Sequence, residues 1–329
     1  MQDRCTDGAE NITVSADRAA DRAVSSGQAA GRPVSDSAVQ GVSGVPEIRI
    51  SPLGGDHGGC RLVQKNGVFF GRFPILERME WLNHCFSTRL GGVSEGCYAS
   101  MDLGPGRGDS DAAVRENYRR LGEAASFDWR SSVLTKQTHT VNIRRVFRED
   151  AGKGLLRERD YDNVDGLITD CPGLPLFSFS ADCTVTMFAD PVHRAVGVAH
   201  AGWRGMAARM GLEMILAMGR EFGTRPKDLV CAIAPSICRD CFEVGPEVAQ
   251  CFAEAFPENA GRIIFPGRGD RSQIDLWEAG RIVLAEAGVP AENIAVTNLC
   301  TKCNPDLFFS HRVTGPARGI GGCMIEVRP

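Results

Sequence analysis

The 329-residue chain holds only six histidines, and no two of them stand one residue apart. A multicopper oxidation centre needs about ten ligands drawn from histidine-dense motifs, so that chemistry is out of reach. Charge of one sign is also missing: 37 basic against 41 acidic residues leave a formal −4. That balance excludes the basic footprint of a nucleic-acid binder or of a protein held to a membrane surface. No run approaches the ~18 consecutive apolar residues of a membrane span. The first thirty residues lack the apolar segment of a secretory signal. A cytoplasmic protein with no nucleic-acid and no membrane partner, a monomer or weak oligomer, is the expectation. With 43% hydrophobic residues, the chain can bury one large or two modest cores.

Cysteine, by contrast, is abundant, with thirteen residues. A chain of this length needs no disulfide staples and shows no sign of export, so reduced thiols are expected. Most are small buried hydrophobes, such as Cys231 within LVCAIA and Cys323 within GGCMIEV. Position must decide which ones carry chemistry.

Residues 1–46 are rich in Ala, Ser, Gly, Asp and Arg and contain no aromatic residue, which predicts a disordered low-complexity tail. Residues 47–329 read as a single α/β catalytic domain. Asn66-Gly67 between two β-prone runs predicts a hairpin. The segment DSDAAVRENYRRLGEAASF predicts a helix with an apolar stripe of Val114, Tyr118 and Leu121. From Leu176 to Met187 the alternation of Phe177, Phe179, Ala181, Cys183, Val185 and Met187 predicts one strand. A second, Ala195 to His200, places Val196, Val198 and His200 on one side. A helix from Met206 to Phe222 follows, with a core stripe at Met210, Met214, Ile215, Met218 and Phe222. Further strands are expected at DLVCAIAPSI, AENIAVTNL, FFSH and GCMIEV. Interleaved strands and helices, with several strands adjacent, imply α/β architecture with mixed sheets.

Three clusters of chemistry-bearing residues stand out. Cys238-x-x-Cys241 and Cys300-x-x-Cys303 have the ligand type and local spacing of a four-thiolate zinc site. The long interval between them, with each pair beside a strong strand, favours two reduced pairs in turns instead. His139, Cys183 and His200 sit at strand ends or within strands. Two imidazoles and a thiolate suit Zn²⁺ and leave a fourth position open, the arrangement of a catalytic site, where bound water reaches a pKa of about 7. Alternatively, Cys183 is a nucleophile deprotonated by one of the histidines; the residues alone leave both open. Arg89, at a strand end beside Gly91-Gly92, and Arg204, where a strand hands over to a helix, are candidates to hold an anion. Asp182 is the nearest carboxylate, although alternation points it to the opposite face.

The ordered string STRLGGVS, KQTH, DGLIT, ADC, VGVAHAGWRG, FEVG, CTKC and FFSHR, running from residue 87 to residue 312, closely resembles the laccase-domain, YfiH-type purine nucleoside phosphorylase family, formerly called polyphenol oxidases. The resemblance covers essentially everything after the tail. It implies a layered α/β sandwich of mixed β-sheets with flanking helices, similar to the catalytic domain of cytotoxic necrotizing factor. It implies zinc, rather than copper, on His139, Cys183 and His200, the trio that ligand chemistry selects. It also implies phosphorolysis of adenosine, inosine, guanosine and methylthioadenosine, with deamination of adenosine. Purine nucleosides and inorganic phosphate would then be the partners, and Arg204 and Arg89 the candidate phosphate cradle. Bacterial relatives associated with peptidoglycan editing suggest another activity, a cysteine hydrolase or amidase using Cys183 and His200 on peptidoglycan precursors. The chain departs from the family pattern at Thr140, where glycine is usual, at Thr184-Val185, where proline is common, and at Val313, where a second arginine is common.

Overall fold

A computed structural model describes residues 10–14, 48–50 and 59–329. Two large sheets dominate. The first has seven strands in the order Glu10–Val14, Cys60–Lys65, Val68–Arg72, Leu82–Ser87, Gly321–Val327, Leu176–Ser180, Val133–Leu134. The second has six, in the order Ile294–Val296, Val230–Ile233, Thr184–Asp190, Ala195–Ala201, Gly166–Thr169, Ile143–Arg145. Each sheet mixes parallel and antiparallel pairs. A small three-stranded sheet joins Glu243–Val244, Ser272–Ile274 and Ile264–Pro266.

Strand alternation sorts the apolar residues into layers. Cys323 and Ile325 from the first sheet and Val185, Met187, Val196 and Val198 from the second share one buried core between the sheets. Met324, Phe177 and Phe179 point the other way, under the helix Asp111–Ala125, whose Val114, Tyr118 and Leu121 stripe lies as the sequence predicts. Phe188, Ala199 and Ile233 face outward from the second sheet, under the helices Met210–Phe222 and Leu276–Glu286. The result is the expected layered sandwich, helix on sheet on sheet on helices. Asn66 and Gly67, both with positive φ, form the expected hairpin turn.

Four local expectations are corrected. The run from Leu176 to Met187 is two strands: the chain leaves the first sheet after Ser180 and enters the second at Thr184, so Phe177 and Val185 belong to different cores. The break is a turn at Asp182, with φ +100°. The helix expected from Met206 is interrupted at Arg209, which is left-handed, leaving a short piece Trp203–Ala207 before Met210–Phe222. FFSH is no strand; Phe308 and Phe309 are buried in a loop that leads into His311–Thr314. Finally, within the stretch expected to be disordered tail, Glu10–Val14 pairs antiparallel with Cys60–Lys65, where β-branched Ile12, Thr13 and Val14 suit an edge strand. The rest of that stretch, apart from this strand, lies outside the described residues.

Among the described residues, no helix is long and apolar enough to cross a membrane.

Candidate functional site

His200 occupies the second-last position of the strand Ala195–Ala201, on the inter-sheet side with Val196 and Val198, and is buried. The neighbouring strand begins at Gly166, opposite Ala199, so Asp165 comes beside His200. The His200 amide donates to the Asp165 carbonyl at 2.9 Å, and its Nδ1 lies 2.8 Å from Asp165 Oδ1. That contact fixes the ring and leaves Nε2 for the site.

The same carboxylate orders a second element. Asp165 is fully buried and accepts from the backbone amides of Thr138, His139 and Thr140 at 3.0–3.1 Å, and from the Thr140 hydroxyl at 3.1 Å. These bonds wrap the KQTH loop into a turn in which His139 takes φ +65°, an uncommon conformation for a non-glycine residue. His139 is thus on a loop rather than a strand, and alternation could not have placed it. Burial opposes charge on Asp165, but the hydrogen bonds from His200, Thr138 and Thr140 outweigh it and hold the carboxyl below its usual range.

Cys183 arrives from the turn between the two sheets. Asp182 is held there by the Thr301 hydroxyl at 2.6 Å and the Arg312 amide at 2.6 Å, its carbonyl takes the Ile237 amide at 2.9 Å, and Ser180 Oγ donates to the Cys183 carbonyl. Asp182 therefore shapes the turn and does not face substrate. Cys183 Sγ lies 3.9 Å from His139 Nε2, and the ligand atoms of His139, Cys183 and His200 all fall within 4.8 Å of one another. A Cβ built on Gly202 would stand 2.5 Å from His139 Cδ2 and 3.3 Å from Cys183 Sγ, so the backbone can pass this close only as glycine. Burial pushes the Cys183 thiol up, yet its contacts with His139 and His200 prevail and bring it down to about 6. Burial lowers His200, while Asp165 and Cys183 raise it to about 9. The lowered thiol favours the thiolate form that a soft metal ligand takes. Its exposure grades from buried His200 to exposed His139, so one side faces solvent.

The two arginines differ. Arg204 is exposed, its guanidinium stacked over the Trp203 ring at 4.2 Å. Arg89 has three of its five donors engaged: Nε and Nη2 reach the Ala99 carbonyl at 2.9 and 2.6 Å, Nη1 reaches the Pro305 carbonyl at 2.9 Å, and the group lies 4.7 Å from the Phe309 ring centroid. Its fork ties loops together, which leaves it fewer donors for an anion. Arg318, which sequence reasoning passed over, is half-buried with Nε lacking a hydrogen-bond partner, and its charge feels Asp182 and Cys183. Its one sequence signal is a position at the start of a glycine-rich stretch, too common to single it out. A groove of about 600 Å³ lined by Arg115, Lys136, Arg157 and Arg159 opens beside the KQTH loop, with none of the three ligand residues in its wall.

Residues 83–327 match the family model described as multi-copper polyphenol oxidoreductase laccase. The purine nucleoside phosphorylase YlmD of Bacillus subtilis is 35% identical over 69% of this chain and 82% of its own. A protein of an unknown prokaryotic organism, named adenosine deaminase RL5, is 34% identical over 70% of this chain and 88% of its own. The crystal structure of the Bacillus licheniformis hypothetical protein YfiH superposes with a TM-score of 0.75 at 30% identity, covering 80% of this chain and 97% of that one.

Proposed function

The chain belongs to the multi-copper polyphenol oxidoreductase laccase family of enzymes, and from that premise we propose that it is a zinc-dependent purine nucleoside phosphorylase that also deaminates adenosine. The observation that carries the reading is the convergence of His139, Cys183 and His200 within 4.8 Å, open on one side, in a chain whose relatives bear those two names. The donor set fits zinc: two imidazoles and a thiolate, with His200 oriented by a buried carboxylate and a glycine where a Cβ would fill the cradle. Six histidines in the whole chain disfavour a copper cluster. Bound there, zinc supplies Lewis acidity and a lowered pKa for water, the chemistry that attack at purine C6 requires.

The protein's own groups account for the rest. Asp165 retains the His200 Nδ1 proton and keeps Nε2 aimed inward. In phosphorolysis a phosphate oxygen bonds to C1′ as the bond from C1′ to the purine nitrogen breaks, its electron pair leaving with the base. Holding a multiply charged anion against that carbon takes guanidinium groups. Arg204, exposed two residues after Gly202, and Arg318, whose Nε is buried and unpartnered, are our candidates for that role. Arg89 supports this arrangement indirectly, by fixing the loops that its fork bridges. The substrates we assign are adenosine, inosine, guanosine and methylthioadenosine, each with inorganic phosphate.

The thiolate character of Cys183 favours a second reading, a cysteine hydrolase or amidase acting on peptidoglycan precursors with His200 as partner. One experiment separates the two: metal analysis of the purified protein, with chromatography of inosine and adenosine incubated with and without phosphate, and Cys183→Ala as control. Stoichiometric zinc and phosphate-dependent release of base, both lost in the variant, support the phosphorylase. Metal-free protein, inert to nucleosides but cleaving an amide through Cys183, overturns it.

A further inference from the structure

The two C-x-x-C pairs lie in different loops, and the fold brings those loops together. Cys238 and Cys241 follow the strand Val230–Ile233, and Cys300 and Cys303 follow Ile294–Val296. These strands are parallel neighbours, with Ala232 opposite Ala295, so both continue past the same end of the sheet. Their pairing extends through a bridge between Ser236 and Cys300, with the Thr301 amide donating to the Ser236 carbonyl at 3.2 Å. Residues 62 positions apart are thereby brought together, and all four sulfurs lie within 4.8 Å of one another.

The local geometry is that of thiolates prepared for a cation. Cys300 Sγ accepts the amides of Cys238 at 3.3 Å and Cys303 at 3.4 Å, contacts that a negatively charged sulfur strengthens. Cys241 Sγ and Cys303 Sγ stand 3.5 Å apart, and all four thiols are free. Sulfurs around a tetrahedral zinc, each about 2.3 Å from the metal, are about 3.8 Å apart, close to this spacing. Cys238 and Cys300 are buried while Cys241 and Cys303 are half-buried, and among the described residues no histidine or carboxylate joins the group.

We infer that Cys238, Cys241, Cys300 and Cys303 form a second metal site, a closed tetrathiolate that takes a zinc-class divalent ion. Four protein ligands leave no position for water or substrate, so its role is structural. It cross-links the loops that follow two parallel strands. One of those loops carries Thr301, whose hydroxyl anchors Asp182, so the clamp also steadies the turn that presents Cys183.

The test is metal counting on the full chain, purified under reducing conditions, for wild type, Cys241→Ser, Cys303→Ser, Cys183→Ala and a control, Cys97→Ser, at an exposed thiol. Cys241→Ser and Cys303→Ser should each lose one equivalent of metal per chain and melt lower than the control. Cys183→Ala should keep that equivalent, so failure of the catalytic reading and failure of this one are distinguishable. Should the serine variants not fold, cobalt(II)-loaded wild type decides: intense thiolate-to-cobalt charge transfer with tetrahedral ligand-field bands, retained in Cys183→Ala, is the expected spectrum. Unchanged metal content in Cys303→Ser, absence of those bands, or disulfides joining the four cysteines in freshly purified protein would overturn the inference.

Discussion

The chain builds two clusters of soft and borderline ligand side chains, and they differ in every respect that separates chemistry from scaffolding. His139, Cys183 and His200 come from a loop, an inter-sheet turn and a strand end, are organised by the buried carboxylate of Asp165, and face solvent on one side. Cys238, Cys241, Cys300 and Cys303 come from two loops after parallel strands and are organised by backbone N–H groups aimed at sulfur. Placing a residue at φ +65° and surrounding a carboxylate with donors costs free energy that packing elsewhere must offset. The cysteine cluster asks for no such strain. The difference teaches that ligand identity alone does not assign a role; the supporting groups do.

The strongest break in this comparison is Asp165→Asn. An amide presents a donor where the carboxylate accepts, so either His200 Nδ1 or the KQTH backbone loses its partner. Turnover should fall about 1000-fold, beyond the 10–100-fold typical of a lost histidine partner because two ligands are affected. Stability should drop by about 3 kcal/mol, while a metal equivalent on the four cysteines stays in place. Steady-state kinetics, denaturant melts and metal content read all three. Next comes Gly202→Ala, where a Cβ 2.5 Å from His139 Cδ2 must displace the ring. Misplacement on that scale should cost about 100-fold in kcat with little change in melting temperature. Arg318→Ala should raise KM for phosphate about tenfold, with Arg318→Lys recovering part of the loss. Initial rates at varied phosphate distinguish this from a fall in kcat.

Arg89→Ala sharpens the contrast from the other side. Its three contacts to carbonyl oxygens should be worth about 2 kcal/mol of stability, and KM for phosphate should hold. A rise in that KM comparable to the effect at Arg318 would return Arg89 to the cradle. Removal of residues 1–45 should have the smallest effect, leaving turnover within about twofold, since among the described residues it takes away one edge strand of the first sheet.

Much of this was legible in the sequence where chemistry follows local period. Val196, Val198 and His200 alternate on a strand, and the structure keeps them on one side. The helix stripe of Val114, Tyr118 and Leu121 is equally direct. The break at Asp182 was hidden because period-two alternation runs unbroken through it, and only the anchors on Thr301 and Arg312, far along the chain, impose the turn. Asp165 read as half of an Asp-Gly turn, since its five donors come from residues that no pattern connects. Arg89 beside paired glycines looked open to an anion; the carbonyls that engage it lie across the fold. The four cysteines showed their local spacing but not their meeting, which depends on two strands being parallel neighbours.

The most direct measurement is inosine phosphorolysis by Cys183→Ala and Cys303→Ser side by side, at a temperature where both remain folded. The account predicts no phosphate-dependent hypoxanthine release from Cys183→Ala and at least half the wild-type rate from Cys303→Ser, which melts lower. Full activity in Cys183→Ala, or its loss in folded Cys303→Ser, would contradict it.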